Sequence, residues 1–263
     1  MDAKPKYLGR QFGDVFHDQS VAERYHLRPP YPPETFHVLA GLLAAEPRAV
    51  LDVGAGRGDI ARELLPYASR VDALDPSAAM IALGQALPGG DDPRLRWIKG
   101  YAEDAPLDPP YALITAGASL HWMDWPLVLP RFKSVLAPHG SLAVLTTVDT
   151  PVPWHDALLP IIQRYSMNTE YVPYDLIAHL ESVGLFARAG EIRTTPVRFE
   201  QRVDDYVEAF HSMSSFSRER MPAENAAAFD AALRALASAH AHAGRVSWEV
   251  SALITWGKPL DGR

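Results

Sequence analysis

Cysteine is missing from the 263-residue sequence. Its absence excludes a disulfide framework, a thiolate zinc site and a cysteine nucleophile. The histidine and carboxylate side chains show no metal-ligand spacing either, so the sequence predicts no metal site. Sites that depend on thiolate chemistry are thus excluded.

Long apolar runs and an excess of positive charge are missing as well. No stretch reaches membrane-spanning length, and the first 13 residues, MDAKPKYLGRQFG, contain no apolar core of a signal peptide. Lysine and arginine number 25 against 32 acidic residues, a net charge of −7 that argues against binding nucleic acid. We therefore expect a soluble, cytoplasmic protein that binds neither nucleic acid nor a membrane. Its length suits one large α/β domain or one domain with an insertion.

The most informative stretch is the run 49–61, AVLDVGAGRGDIA. Its first five residues are apolar apart from Asp52, which is typical of a buried parallel strand, and apolar residues resume at helical spacing after Gly58. Gly54, Gly56 and Gly58 predict a strand-to-helix turn that offers bare backbone and a helix N-terminus to a ligand. A dinucleotide-binding turn would show G-x-G-x-x-G instead, and the acidic Asp52 suits a ligand with a cationic amine better than one with a pyrophosphate.

Strand and helix signals alternate as far as residue 148. The further strands expected in this part are 70–75, 95–98, 111–116 and 141–148. This order requires a parallel sheet with right-handed crossovers. Asp75 ends the second strand about twenty residues after the glycines, where a carboxylate can accept both hydroxyls of a ribose. Ser77 is expected to cap the helix that follows.

The glycine motif at 52–58, DVGAGRG, resembles the cofactor loop of class I S-adenosylmethionine-dependent methyltransferases. The stretches 22–25 (AERY) and 28–32 (RPPYP) resemble the N-terminal motif of small-molecule methyltransferases of the trans-aconitate methyltransferase type. The resemblance implies S-adenosyl-L-methionine as cofactor and a Rossmann-like α/β fold. That fold is a doubly wound, seven-stranded, mostly parallel sheet with a C-terminal antiparallel hairpin and an inserted helical lid.

The resemblance also implies which residues hold the cofactor. The adenine-recognising turn of the family commonly reads Gly-Asp-Ala-Glu, whereas 100–103 reads GYAE, with Tyr101 in the aspartate position. The backbone N–H of Ala102 remains available to the adenine ring, and either Glu103 or Asp104 to its amino group. The residues predicted to bind the cofactor are Tyr25, Asp52, Gly54, Ala55, Gly56, Asp75, Pro76, Ala102, Glu103 and Ala116.

The segment 117–125 is the best candidate for chemistry, because in this fold the end of the fourth strand faces the methyl donor. Its His121-Trp122 pair resembles a His-Trp motif of the trans-aconitate-like group, and both residues are predicted to be catalytic. Histidine can act as a base near neutral pH, and tryptophan can wall an apolar pocket or face a sulfonium cation. A purely structural role for the pair is the alternative. The same pair, Arg28 and Tyr31 are predicted to contact the acceptor, with Arg28 as a clamp for a carboxylate.

Four units are expected along the chain, namely a strap over the cofactor site (1–33), a cofactor-binding core (34–150), a helical lid over the substrate (151–245) and a closing strand of the core sheet (246–263). Prolines should keep the strap extended and stiff rather than helical. One strand near 191–199, interrupted by Pro196, should leave the lid region and join the sheet. The serine-rich run 212–217 predicts a loop near the pocket mouth.

The sequence therefore predicts an enzyme that transfers a methyl group to a small organic acceptor by in-line displacement, with O-methylation favoured over C- or N-methylation. An Asn-Pro-Pro-Tyr-like motif, often found in enzymes that methylate nucleic acid bases and proteins, is missing after the fourth strand, which favours a small molecule. Two alternatives remain open. One is a protein of this fold that acts as a cyclase or binder without transferring methyl groups. The other is an NAD-dependent oxidoreductase, which the glycine spacing disfavours. A monomer and a homodimer are both compatible with the sequence.

Overall fold

The computed structural model of the protein describes residues 4–262, except the side chains of residues 10 and 11. A single mixed β-sheet forms its centre. The strands in chain order are β1 (Ala49–Val53), β2 (Arg70–Asp75), β3 (Leu95–Lys99), β4 (Tyr111–Gly117), β5 (Leu136–Asp149), β6 (Phe186–Arg193), β7 (Val197–Arg202) and β8 (Arg245–Pro259). Each strand expected between residues 49 and 148 is present.

The sheet has the order β3-β2-β1-β4-β5-β8-β6. Its first five strands are parallel, whereas β8 runs antiparallel to β5 on one side and to β6 and β7 on the other. All five residues of β1 are buried, as expected of a central parallel strand covered on both faces. The expected strand near 191–199 is divided into β6 and β7 around Pro196, which has no N–H for the ladder. The predicted doubly wound sheet with a C-terminal antiparallel hairpin is confirmed.

Helices cover both faces of the sheet. The α-helices in chain order are α1 (Arg10–Gly13), α2 (Gln19–Arg24), α3 (Glu34–Gly41), α4 (Asp59–Leu64), α5 (Ala78–Ala86), α6 (Trp125–Val135), α7 (His155–Tyr165), α8 (Leu176–Ser182), α9 (Val203–Phe210) and α10 (Ala223–His240). Leu39 and Leu64 bring α3 and α4 into one core, and Phe132 and Leu180 bring α6 and α8 into the other. Within residues 4–262, no helix combines the length and the apolar character needed to cross a membrane.

The N-terminal segment differs from the predicted extended strap. Residues 6–27 form mostly short helical turns, including α1 and α2, and only the proline-rich residues 28–32 run without helix into α3. Such short helices depend on tertiary contacts rather than on intrinsic propensity. Here Asp18 forms an ion pair with Arg220, 202 positions later, at 2.7 Å. The prediction was wrong because prolines restrict only their own neighbours, whereas a distant part of the chain holds the rest.

The inserted region has a hydrophobic cluster of its own. Helices α7, α9 and α10 pack around Trp154, Phe210 and Phe229. Helix α8, which the sequence placed in the lid, packs instead on the sheet through Leu180. Its apolar periodicity was identified correctly, but periodicity does not tell which core a helix joins. The inserted unit, whose role as a lid stays a prediction, therefore consists of α7, α9 and α10, and the serine-rich run lies in the loop between α9 and α10.

Candidate cofactor and acceptor site

The glycine loop follows β1 and leads into α4 with three positive φ angles. Gly54, Gly56 and Gly58 have φ values of +64°, +56° and +75°, and Gly58 is the left-handed residue before α4. At Gly54 a Cβ would lie 2.4 Å from the Cβ of Ser119, so the backbone passes the end of β4 too closely for any side chain. A Cβ on Gly56, by contrast, meets no protein atom within 4 Å. The loop is thus tight against the protein at its start and open toward a ligand at its middle.

The Asp75 carboxylate lies beside this opening, at the carboxyl end of β2. It is only 7% exposed, and its two oxygens accept hydrogen bonds from the backbone N–H groups of Gly56 (2.7 Å) and Ser77 (2.8 Å). Burial raises the pKa of Asp75, while the two N–H groups oppose the rise. Ser77 also accepts from the Met80 N–H and caps α5, as predicted. Each carboxylate oxygen keeps a lone pair for a hydroxyl of a ligand.

The turn after β3 forms the next part of the wall. Tyr101, Ala102 and Glu103 all line the pocket. Arg131 on α6 donates to the Ala102 carbonyl oxygen at 2.6 Å and to a second carbonyl of the same turn. Glu103 accepts from the Asp124 N–H at 2.9 Å, so one of its oxygens is used to hold the start of α6. The structural role of Arg131 was not predicted, because nothing in the sequence links it to a turn 26–29 residues earlier.

These elements enclose one continuous pocket that is open to solvent at its mouth. The predicted site residues that line it are Tyr25, Arg28, Gly54, Gly56, Asp75, Pro76, Ala102, Glu103 and Trp122. Those outside the lining are Tyr31, Asp52, Ala55, Ala116 and His121. The pocket thus brings together nine of the predicted residues, and the roles predicted for all of them stay predictions.

Asp52 lies behind the glycine loop rather than in the pocket. Its side chain is 1% exposed, and one oxygen accepts from the Thr115 hydroxyl at 2.7 Å. The other oxygen has no hydrogen-bond partner among the described residues. Burial raises the pKa of Asp52 to about 7. Contact between Asp52 and a cationic amine of the cofactor therefore stays a prediction.

Three other predicted residues support the pocket from outside its lining. The Ala55 N–H donates to the Leu74 carbonyl oxygen at 3.0 Å, which fixes the loop to β2. Ala116 is fully buried within β4. The Tyr31 hydroxyl lies beside Gly117, where a Cβ would approach it to 3.0 Å, and Gly117 itself lines the pocket. Burial raises the pKa of Tyr31, which keeps the phenol protonated at neutral pH.

The His121-Trp122 pair sits on a short 3-10 helix at the end of β4. Trp122 lines the pocket, with its ring centroid 6.0 Å from that of Phe16. The His121 ring lies behind it, at a centroid distance of 4.4 Å. The pKa of His121 is lowered to about 4, mainly by desolvation and in addition by the nearby charges of Lys4 and Arg28. His121 is thus an uncharged imidazole at neutral pH and a weak base.

The N-terminal segment supplies pocket residues that the sequence did not identify. Gly13, Asp14, Phe16 and His17 line the pocket opposite the glycine loop. Their stretch has neither apolar periodicity nor a recognisable motif. The segment therefore forms part of the pocket wall, and its predicted position over a bound cofactor stays a prediction.

Comparison with known proteins identifies the class. Residues 50–140 match the family model of the methyltransferase domain. Among solved structures, a candidate type II methyltransferase from Anaeromyxobacter dehalogenans superimposes with a TM-score of 0.61 at 24% identity, covering 89% of this chain and 98% of the other. This likeness supports the fold. Residues 50–140 thus form a methyltransferase domain, in agreement with the resemblance of the glycine motif.

Curated relatives match about half of the chain. An uncharacterized methyltransferase of Mycobacterium tuberculosis (strain H37Rv) is 35% identical over 140 residues, 52% of this chain and 54% of the relative. The malonyl-[acyl-carrier protein] O-methyltransferase of Halalkalibacterium halodurans is 34% identical over 145 residues, 52% and 53% of the two chains. The trans-aconitate 2-methyltransferase of Yersinia pestis is 33% identical over 132 residues, 48% and 49%. The chain thus spans about half the length of the curated relatives it matches.

The pocket suits S-adenosyl-L-methionine by its own geometry. The open space above Gly56 lets a ligand approach the backbone, and the buried Asp75 carboxylate is placed to accept from two ribose hydroxyls. Met80 and Ala102 provide an apolar wall beyond that carboxylate. The expectation of this cofactor, made from the glycine motif, therefore agrees with the residues present.

Proposed function

We propose that the protein transfers the methyl group of S-adenosyl-L-methionine to a small organic acceptor, with O-methylation favoured over N- and C-methylation. The observation that carries the proposal is the continuity of one pocket from Asp75, at the end of β2, to Trp122, beyond the end of β4. A ligand anchored by Asp75 would extend along the glycine loop toward Trp122 and Arg28. The net charge of −7 supports a small molecule rather than nucleic acid as acceptor, and a cytoplasmic monomer or homodimer remains our prediction.

The bound cofactor would supply an electrophilic methyl group on a sulfonium, so that an acceptor atom forms a bond to that carbon as the carbon–sulfur bond breaks and its electron pair returns to sulfur. The chain itself has to align the acceptor and exclude water, and alignment alone can contribute roughly 7–11 kcal/mol. Gly54, Gly56 and Asp75 would fix one end of the cofactor. Phe16 and Trp122, with ring centroids 6.0 Å apart, close the other end with apolar surface.

The predicted role of His121 as a base is not favoured by its surroundings. A base that takes a proton becomes an imidazolium, and Lys4 and Arg28 both disfavour that charge. An acceptor that needs no deprotonation is therefore the better match. Trp122, which lines the pocket, retains its predicted role beside the methyl donor. A His121→Ala variant with normal turnover and normal cofactor affinity would remove His121 from the catalytic residues.

Calorimetric titration of the protein with S-adenosyl-L-methionine, and separately with NADH, tests the proposal. Micromolar binding of S-adenosyl-L-methionine alone is expected. Absence of that binding would contradict the proposal at its base. Binding without methyl transfer to any member of a broad panel of alcohols, phenols, amines and acids would favour the non-methylating alternative.

A further inference from the structure

Arg220, in the loop between α9 and α10, holds both ends of one turn of the N-terminal segment. The turn is a 3-10 helix, Asp14–His17. The Nη2 of Arg220 donates to the Asp14 carbonyl oxygen at 3.0 Å, and its Nε and Nη2 donate to the two Asp18 carboxylate oxygens at 2.7 and 3.0 Å. Paired bonds between a guanidinium and a carboxylate fix direction as well as distance. One side chain of the inserted unit therefore defines where the turn begins and where it ends.

The Asp18 carboxylate is the centre of this contact. Its side chain is 14% exposed, and the Ser217 hydroxyl donates to it at 3.0 Å. The hydrogen bond from Arg220 holds the pKa of Asp18 below its ordinary range, so the carboxylate is charged at neutral pH. The Ser20 N–H, farther along the segment, donates to Glu219 at 2.9 Å. Three residues of the loop thus bind the turn and the start of α2 through polar contacts.

The turn carries Phe16, whose side chain forms part of the pocket wall. The centroid of its ring lies 6.0 Å from that of Trp122 and 6.4 Å from that of Tyr25. Phe16 is only partly buried, and it belongs to none of the three hydrophobic clusters found among the described residues. Its position is therefore set by the backbone of the turn rather than by packing in a core.

The Trp122 indole packs against the same part of the chain. A Cβ on Gly13, the residue before the turn, would lie 3.4 Å from the indole ring, so the backbone there is close to van der Waals contact with Trp122. Phe16 faces the same ring from within the turn, at an interplanar angle of 60°. The surroundings of Trp122 therefore depend on whether the turn is in place.

We propose that Arg220 is a positioning residue of the methyl-transfer site, which acts through Asp18 to hold the turn where Phe16 faces Trp122 and so completes the aromatic wall beside the sulfonium of the cofactor. The inference rests on the proposed function and adds a residue of the inserted unit to that same site. Its physical basis is preorganisation, because a wall that is already in place does not have to be ordered when the ligand binds.

Calorimetric titration of Arg220→Met with S-adenosyl-L-methionine tests the inference. The Kd should rise about fivefold, because the turn would be in place in only a fraction of the ligand-free molecules. The matched control is Arg234→Met, since Arg234 pairs with Asp204 at 3.0 Å within the inserted unit, and its Kd should stay within about twofold of the wild-type value. Equal affinities of Arg220→Met and the wild-type protein would overturn the inference. Absence of binding to the wild-type protein itself would instead contradict the proposed function.

Fluorescence of the ligand-free protein tests the positioning without the cofactor. The sequence contains six tryptophans, so the Trp122 contribution is obtained by subtracting the spectrum of the same protein with Trp122→Phe. That contribution should shift to longer wavelength in Arg220→Met, because the indole becomes more accessible to water when the turn is no longer held. It should not shift in Arg234→Met. An unshifted Trp122 emission in Arg220→Met would show that the turn does not need Arg220.

Double variants show whether Arg220 acts through Asp18 and Phe16. Asp18→Asn should raise the Kd for S-adenosyl-L-methionine as Arg220→Met does, and the two together should raise it less than about twofold further. In a Phe16→Ala background, Arg220→Met should likewise change the Kd by less than about twofold. An undiminished fivefold effect in that background would show that Arg220 supports the fold at large and not the aromatic wall. Arg220→Lys, which keeps the charge without the paired donors, should give an intermediate Kd and serves as the test variant if Arg220→Met does not fold.

Discussion

Replacing Asp75 by asparagine is expected to weaken cofactor binding more than it weakens the fold. The carboxylate accepts the Gly56 N–H at 2.7 Å with one oxygen and the Ser77 N–H at 2.8 Å with the other. Both oxygens are therefore needed as acceptors before any ligand binds. An amide keeps one acceptor oxygen and turns the other into a donor, which must face either a backbone N–H or a ribose hydroxyl.

The size of the effect follows from these contacts. A hydrogen bond to a charged group contributes about 1.5–3 kcal/mol, so losing one such bond to a ribose hydroxyl should raise the Kd for S-adenosyl-L-methionine about 10- to 150-fold. The folded protein also loses a hydrogen bond from a backbone N–H group to the Asp75 carboxylate. That loss is partly offset, because burial already raises the pKa of Asp75 and the neutral amide is cheaper to bury than the carboxylate.

Calorimetric titration with S-adenosyl-L-methionine and urea unfolding measure the two effects side by side. The matched control is Asp72→Asn on the same strand. Asp72 is fully buried, accepts from the Tyr111 hydroxyl at 2.6 Å and does not line the pocket. Asp72→Asn should lower the free energy of unfolding without changing the affinity for the cofactor. A Kd for Asp75→Asn within twofold of the wild-type value would refute the assignment of Asp75 to the ribose.

Three further predictions concern the walls of the pocket. Arg131→Met frees two carbonyl groups of the turn after β3 and should raise the Kd for S-adenosyl-L-methionine about tenfold. The control is a substitution of the exposed Lys133 on the same helix, Lys133→Met. Equal calorimetric affinities of Arg131→Met and the wild-type protein would contradict the role given to Arg131. Gly56→Ala should abolish cofactor binding, because its Cβ would enter the space of the ligand. It should lower the free energy of unfolding by only about 1–2 kcal/mol, because the positive φ is strained for alanine but the Cβ meets no protein atom. Gly54→Ala should lower the free energy of unfolding more than Gly56→Ala does, since its Cβ would lie 2.4 Å from a protein side chain. Urea unfolding measures both variants, and a larger loss for Gly56→Ala would argue against the loop geometry. The folded-state pKa of His121 is about 4, below the ordinary 6.5, so its contribution to the free energy of unfolding is complete above pH 6.5 and is lost as the pH falls toward 4, by at most about 3 kcal/mol. His121→Gln should flatten the pH dependence of unfolding across that window, and an unchanged slope would contradict the lowered pKa.

The parts of the site that the sequence predicted correctly are those encoded locally. A buried strand, alternate glycines and a helix start occupy one continuous run, so the loop at Gly54–Gly58 and the acid at the end of β2 could both be located from spacing. Asp52 shows the limit of this reasoning. A position two residues before the first glycine fixes which strand the carboxylate belongs to. It does not fix the partner of the side chain, which here is the Thr115 hydroxyl.

The parts that were missed depend on contacts between distant segments. Arg131 stabilises the turn after β3 from a helix whose apolar pattern alone was visible in the sequence. The helical turns of residues 6–27 are too short to be stable alone and have no periodicity. For α8 the periodicity was clear, yet its partner could not be predicted, because the sheet and the lid present similar apolar surfaces. In each case the missing information is tertiary packing.

The N-terminal segment connects the two halves of the site. It carries Phe16 and Tyr25 on the pocket side, while Arg24 and Arg28 attach it to the lid through Glu208 and Ser212. The sheet therefore fixes the cofactor end through strand termini that do not depend on the lid. The acceptor end does depend on the lid, because the lid holds its aromatic wall and the Arg28 guanidinium in place. Substitutions in the loop between α9 and α10 should accordingly alter acceptor affinity without contacting the acceptor, whereas the glycine loop should be insensitive to them.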